Sequence, residues 1–335
     1  MAKLKVYSSR LVKILILTTV MAAIFLCLHY RTSVIHFSKD RPVPNDGITV
    51  VTMYLDIGKF QKGRGTNYYT GDKYVDWMRS WALLTNPVVA FFEDEKMIVK
   101  FREIRSRFPE DQTVIVKVNR SQLHAFSHYD KIKQIYETPN YPKHPPNTVN
   151  ANYSCTMSAK YDVMEMALDT GLVKTEYLVW LDIGYFRNLL GPGKNDTFRL
   201  GIPKNFNSSR IGFSEVGNRE NMKSLKPWDF IQNNHVWVAG GFVLANHEVI
   251  RKFIRAYRVA VEELLRANMM STDQQVIGAM YSPGMVGSQE VDVMTYSCSN
   301  GMFGLHSSDV VYFCLGYICK EAGQQDRSQT TAKQV

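Results

Sequence analysis

The chain has 335 residues, 45% of them hydrophobic and 21% charged, with a formal net charge of +9. Five positive charges sit at Lys3, Lys5, Arg10, Lys13 and Arg31, with no acid among the residues up to Arg31. The charge left for the rest of the chain is too small and too dispersed to argue for a nucleic-acid partner, although a basic groove for a phosphorylated substrate stays compatible with it.

Residues 14–30 contain no Lys, Arg, Asp or Glu. With Leu11 and Val12 added, the run reaches the ~17 to 25 apolar residues that span a bilayer. The basic residues before it place the N-terminus in the cytosol and everything after it in the lumen. A cleaved signal peptide is the competing reading, but its apolar core is ordinarily about 7–15 residues. The expected organisation is a cytosolic basic tail (1–13), a transmembrane signal anchor (14–30), a stem (31–46), one lumenal α/β domain (47–320) and a disordered tail (321–335). The expected location is a single-pass type II membrane protein of the Golgi or ER.

Within the domain, strand and helix patterns alternate. Gly47–Leu55 is a strand, and Tyr74, Val75, Met78, Trp81 and Ala82 mark an amphipathic helix. Val88–Phe92 is a strand, Glu95–Phe108 a helix and Thr113–Val118 a strand. Thr138–Asn150 holds four prolines and reads as a loop. Ser158–Leu168 is a helix, Tyr177–Leu181 a strand and Gly191–Asn207 a second loop. Arg210–Ser214 and Val236–Leu244 are strands, and Glu248–Asn268 and Asp273–Tyr281 helices. Strands at this spacing imply crossover units and a mostly parallel sheet.

The strands Gly47–Leu55 and Tyr177–Leu181 end alike, in Leu55-Asp56-Ile57-Gly58 and Leu181-Asp182-Ile183-Gly184. An acid at a tight turn after a buried strand caps that turn at the least. At the carboxyl end of a strand in an open α/β sheet it is also where ligands bind. Lys59, Lys62 and Arg64, in the Gly-rich run Gly58–Gly65, are placed to embrace a diphosphate. Gly240 and Gly241 inside an apolar run mark a bulge or a close backbone approach. Asp273 follows the N-cap candidates Ser271 and Thr272, and His306 follows a turn.

The ordered set Asp56-Ile57-Gly58, Trp180-Leu181-Asp182-Ile183-Gly184, Ala239-Gly240-Gly241-Phe242 and Asp273-Gln274-Gln275 resembles the HtrL/YibB-type proteins, which have bacterial and nematode members and are grouped with GT-A-fold nucleotide-sugar transferases. The resemblance covers roughly residues 47–318. It implies a single GT-A-like domain with a mostly parallel central sheet, preceded here by the transmembrane helix. It further implies a nucleotide-sugar donor, a glycan, glycoprotein or lipid acceptor, and a divalent cation (Mn²⁺ or Mg²⁺) held by Asp182 in the place of the GT-A Asp-x-Asp motif. This chain departs from that motif because residue 184 is Gly, so Asp56, Asp273 or His306 would complete the shell, or basic residues would replace the metal. By the same analogy Asp56, Lys59, Arg64, Gly240 and Gly241 serve the donor, and Asp273 is the candidate base, ahead of Glu215 and Asp229. Catalytic roles thus fall on Asp273 and Asp182, and metal binding on Asp182 and His306.

Two other classes compete with a secretory-pathway glycosyltransferase. A non-catalytic GT-A-like domain that binds glycans or nucleotides is favoured by the missing second acid. A hydrolase is disfavoured, since the chain has no Gly-x-Ser-x-Gly or His-Glu-x-x-His. The lumenal compartment further implies glycosylation at the sequons Asn119, Asn152, Asn195 and Asn207. With Cys27 inside the anchor, the even number left (Cys155, Cys298, Cys314 and Cys319) suggests two disulfides, Cys314 or Cys319 pairing with Cys298 or Cys155.

Overall fold

The computed structural model describes residues 47–63, 67–191, 196–285, 290–305 and 309–322. The chain's strands, in order, are β1 (Ile48–Tyr54), β2 (Phe60–Gln61), β3 (Tyr68–Tyr69), β4 (Val88–Phe92), β5 (Thr113–Lys117), β6 (Tyr177–Leu181), β7 (Phe198–Leu200), β8 (Ile211–Glu215), β9 (Val238–Asn246), β10 (Val293–Tyr296) and β11 (Lys320–Ala322). Seven of them form one sheet in the order β10-β8-β9-β6-β1-β4-β5. β1 runs parallel to β4 and β6, β4 to β5 and β8 to β10, while β9 is antiparallel to both its neighbours. The sheet is mostly parallel, as the alternation of patterns predicts.

Every residue of β1 and β4 is buried, because helices cover both faces of the sheet. Alternate residues feed opposite cores. Val51, Met53, Val89, Phe91 and Trp180 belong to one apolar cluster, and Val50, Tyr54, Ala90, Phe92 and Leu181 to the other. The helices Ala151–Asp169, His247–Arg266 and Asp273–Met280 supply the first core; Gly71–Met78, Glu95–Arg105 and Val310–Cys319 supply the second.

Several elements differ from expectation. The helix predicted at Ser158–Leu168 begins at Ala151, capped by Asn150, whose Oδ1 accepts from the backbone N–H of Tyr153 at 3.2 Å. Its first two turns are buried nearly all round, so no amphipathic stripe announces them. The apolar helix Val310–Cys319 escapes periodicity for the same reason. β7 lies inside the segment predicted as the loop Gly191–Asn207 and pairs with β11, so Glu321 and Ala322 belong to a strand where a disordered tail was expected. Among the described residues no helix is long and apolar enough to cross a membrane. The segment 14–30, the stem and residues 323–335 lie outside the described residues.

One disulfide joins Cys298, just after β10, to Cys314 in the terminal helix. The second expected bridge does not form. Cys155 and Cys319 are free and buried, in the cores on opposite sides of the sheet. Burial pushes the Cys155 thiol up to about 12, and that of Cys319 up as well, which leaves both poor nucleophiles. Non-reducing peptide mapping is expected to recover Cys298–Cys314 alone. Cys314→Ser should cost about 3 kcal/mol by releasing a closed loop with a separation of 16 residues in the unfolded chain. A bridge found at Cys155 would contradict this arrangement.

Candidate functional site

Counted along the sheet, β1 has β4 and β5 on one side and β6 on the other. The chain thus reverses its direction of travel between β1 and β6, and ligands in such sheets bind at this switch point, beyond the carboxyl ends of the strands. Asp56 follows β1 and Asp182 follows β6, and both line one cleft there, together with Lys62, Tyr74, Tyr153 and Thr156. Its volume is about 660 Å³ with the open mouth included. The Thr156 hydroxyl is buried and makes no hydrogen bond among the described residues. A buried polar group left that way is costly unless a ligand or water meets it.

Asp56 is exposed, and its Oδ1 accepts from the Gly58 backbone N–H at 2.8 Å. Gly58 has φ +74°, the left-handed turn that glycine makes without strain. Arg120 donates to the Asp56 carbonyl at 2.9 Å while its guanidinium pairs with Glu93. This fixes the turn from outside. Asp182 is held differently. Its backbone N–H donates to Gly241 O at 2.9 Å, and its Oδ1 accepts from Trp180 Nε1 at 2.8 Å. Its side chain stays 41% exposed, a carboxylate fixed in direction and open to the cleft.

Behind Asp182 lies a buried ion pair. Lys160, in the helix Ala151–Asp169, donates to Asp273 Oδ2 at 2.9 Å and to the Gly240 carbonyl at 2.7 Å, and stands 3.9 Å from Asp182 Oδ1. The Lys160 and Asp273 side chains are 1% and 3% exposed. Burial works to lower the Lys160 pKa, but the carboxylates of Asp273 and Asp182 outweigh it and hold the ammonium above its ordinary value. Burial pushes the Asp273 carboxyl up, and Lys160 opposes that rise. The paired glycines follow directly. A Cβ on Gly240 would come within 1.9 Å of Asp273 Oδ2, and one on Gly241 within 3.3 Å of Asp182 Oδ2.

The far wall of the cleft is aromatic and basic. Tyr69, Tyr74 and Trp77 pack edge to face, Lys62 lies 5.2 Å over the Tyr69 ring and Arg187 5.0 Å over Trp77. Lys62, Arg187, Asp182 and Asp309 line this part together. Trp77 also explains residue 184: a Cβ there would sit 2.6 Å from its ring, so a second acid at this place in the motif would collide.

The structure thus brings together Asp56, Asp182, Lys62 and Gly241 at the cleft, with Gly240 and Asp273 beneath it. Lys59 lies 4.5 Å over the Tyr68 ring instead and does not line the cleft. Arg64, His306 and Asn195 fall outside the described residues. Asp229 caps its own short helix, accepting from Lys226 N at 2.7 Å, and Glu215 accepts from Ser297 at 2.6 Å; neither lines the cleft. Asn119 and Asn207 are exposed in turns, and Asn152 is half-buried in a helix. Sequence reasoning did not single out Lys160, Arg187 or Asp309 as site residues. The only signal for Lys160 was a cation in the middle of a largely apolar helical stretch, and Asp309 closes the segment in which His306 had drawn attention.

Residues 46–284 match the family model described as "Bacterial protein of unknown function (HtrL_YibB)". The chain is 23% identical over 244 residues to Protein HtrL of Escherichia coli strain K12, covering 70% of this chain and 83% of that one. Among solved structures it is similar to mouse xyloside xylosyltransferase 1 in its apo form, at 12% identity, 83% of this chain, 97% of that chain and a TM-score of 0.38. It is also similar to the mannosyltransferase Ktr4p from S. cerevisiae, at 10% identity, 77% of this chain, 70% of that chain and a TM-score of 0.41. Scores at this level do not establish a shared fold.

Proposed function

The chain belongs to the HtrL_YibB family, and from that premise we propose that it is a GT-A-like glycosyltransferase using a nucleotide-sugar donor. The observation that carries the reading is the pair of strand-end carboxylates, Asp56 and Asp182, in one cleft at the switch point of the sheet, faced by Lys62 and Arg187.

Transfer of a sugar breaks the bond between its anomeric carbon and the diphosphate, and the electron pair leaves with the phosphate oxygen. The developing charge needs fixed positive partners in a site that excludes water. Lys62 and Arg187 supply two, at the mouth of the pocket. The aromatic wall of Tyr74 and Trp77 offers flat apolar surface to a base or sugar. Thr156 offers a hydroxyl within the pocket.

A hard divalent cation would find one exposed, orientated carboxylate in Asp182; Asp56 and Asp309 line other parts of the cleft and form no ligand cluster with it among the described residues. Bound there, it would neutralise charge on the diphosphate. Asp273 is buried behind Gly240. Its role in this reading is to hold Lys160 in place, 3.9 Å behind the exposed Asp182 carboxylate.

The test is a thermal-shift screen of the full chain against nucleoside diphosphates, with and without Mn²⁺. A ligand present at 100 times its Kd stabilises the folded state by about 2.7 kcal/mol, which a melting curve resolves. No shift with any nucleotide would remove the transferase reading. A non-catalytic nucleotide- or glycan-binding role is the second reading, favoured by the packing of Trp77 on Gly184 that keeps a second acid out of the motif. It predicts the same shift with no release of nucleoside diphosphate from any donor.

The uncharged run 14–30 supports anchoring by a type II signal anchor, with the domain in the Golgi or ER lumen. In sealed microsomes protease should remove only about the first dozen residues, and glycosidase should lower the apparent mass. A protease-accessible C-terminus would reverse the orientation.

A further inference from the structure

A second cluster of chemically active side chains lies apart from the cleft. His124 opens the short helix His124–Ser127, His128 lies between it and the helix Tyr129–Glu137, and Glu262 reaches them from the helix His247–Arg266. Ring nitrogens of the two histidines and a Glu262 oxygen all fall within 4.8 Å of one another. The two rings stand 4.9 Å apart, edge to face. His128 Nε2 is 3.4 Å from Glu262 Oε1, yet it is buried and makes no hydrogen bond among the described residues. The pocket that His124 and His128 border shares no lining residue with the cleft.

The geometry points to a binding site for an imidazole-preferring divalent cation of the Zn²⁺ type, formed by His124, His128 and Glu262. Zinc takes nitrogen and carboxylate ligands at about 2.0–2.2 Å in tetrahedral array, which puts neighbouring ligand atoms about 3.3 Å apart. His128 and Glu262 already have that separation. Only about 1.5 Å of closure is needed from the widest pair, and His124 and Glu262 are exposed and free to turn to supply it. The ion would give His128 Nε2 the partner that it lacks among the described residues. Three protein ligands leave a fourth place for water.

The surroundings suit this use. Asp162 accepts from the Ala125 backbone N–H at 2.8 Å and so fixes the helix turn that carries His124. Arg258, the neighbouring cation, is taken up by Asp162 at 2.8 Å and Glu165 at 2.7 Å. The bound ion would pin the segment 124–128 to the long helix at Glu262.

The test uses the full chain stripped with chelator and titrated with ZnCl₂, reading bound metal after dialysis and the melting temperature. One equivalent of Zn²⁺ and a raised melting temperature are expected. His124→Gln and Glu262→Gln, both at exposed side chains, should fold normally and weaken Zn²⁺ binding at least about tenfold each. Asp182→Asn should keep the Zn²⁺ equivalent that His124→Gln loses. Absence of saturable binding, binding unaffected by both Gln variants, or binding lost with Asp182→Asn would each overturn the assignment.

Discussion

Asp182→Asn should abolish transfer, or cut it at least about hundredfold, while the protein keeps its fold. The substitution removes charge and little else. An asparagine carbonyl oxygen can still accept the Trp180 Nε1 hydrogen bond seen at 2.8 Å, and the backbone link from Asp182 N to Gly241 O is independent of the side chain. What disappears is the carboxylate that faces the cleft, and with it any hold on a hard cation, for which a neutral amide is a poorer ligand. Nucleotide binding that depends on Mn²⁺ should fall with activity. Asp56→Asn should weaken binding less, because Asp56 also serves its own turn through Gly58. The measurements are donor turnover, nucleotide titration with and without Mn²⁺, and a melting curve. If Asp182→Asn melts early while nucleotide still binds, Asp182 is a structural cap and the functional reading loses its main support.

Lys160→Ala should destabilise the protein by about 3–5 kcal/mol, since it strands Asp273 in the interior without a counter-charge. The cost should depend on pH with a definite sign. Without Lys160 the folded-state pKa of Asp273 rises further above the ordinary 3.8, because burial is then unopposed. The folded variant then holds a proton that the unfolded chain releases, so it loses stability as pH rises above 3.8 and reaches the full deficit beyond the folded pKa. Urea denaturation of parent and variant from pH 4 to 8 would show the gap widening. Adding Asp273→Leu should recover much of the loss, since removing both charges avoids the unpaired one. A loss under about 1 kcal/mol, flat with pH, would mean that the pair is not formed. Gly240→Ala belongs to the same test, because its Cβ would have to displace the Asp273 carboxylate from 1.9 Å.

Both experiments rest on residues of unequal visibility. Asp182 announces itself through the apolar run that it ends, because strand ends are read locally. The paired glycines are equally visible in the chain, but their reason is not: Gly240 is small because Asp273 and Lys160, from two different helices, occupy the space where its side chain would go. Nothing within ten residues of Gly240 says so.

The sequence by itself determined the strands Ile48–Tyr54, Val88–Phe92 and Tyr177–Leu181 to within a residue, the mostly parallel sheet, and the two carboxylates at strand ends. It did so because buried parallel strands are continuous apolar runs and their ends are punctuated by Asp and Gly. Only the tertiary structure decided which carboxylate faces the cleft and which is buried in an ion pair, that Cys298 takes Cys314, and that Trp77 keeps residue 184 a glycine. Those outcomes depend on contacts between residues up to 113 positions apart, as in Lys160 with Asp273. Burial and charge pairing are properties of the space around a side chain, and local pattern along the chain carries no record of what fills that space.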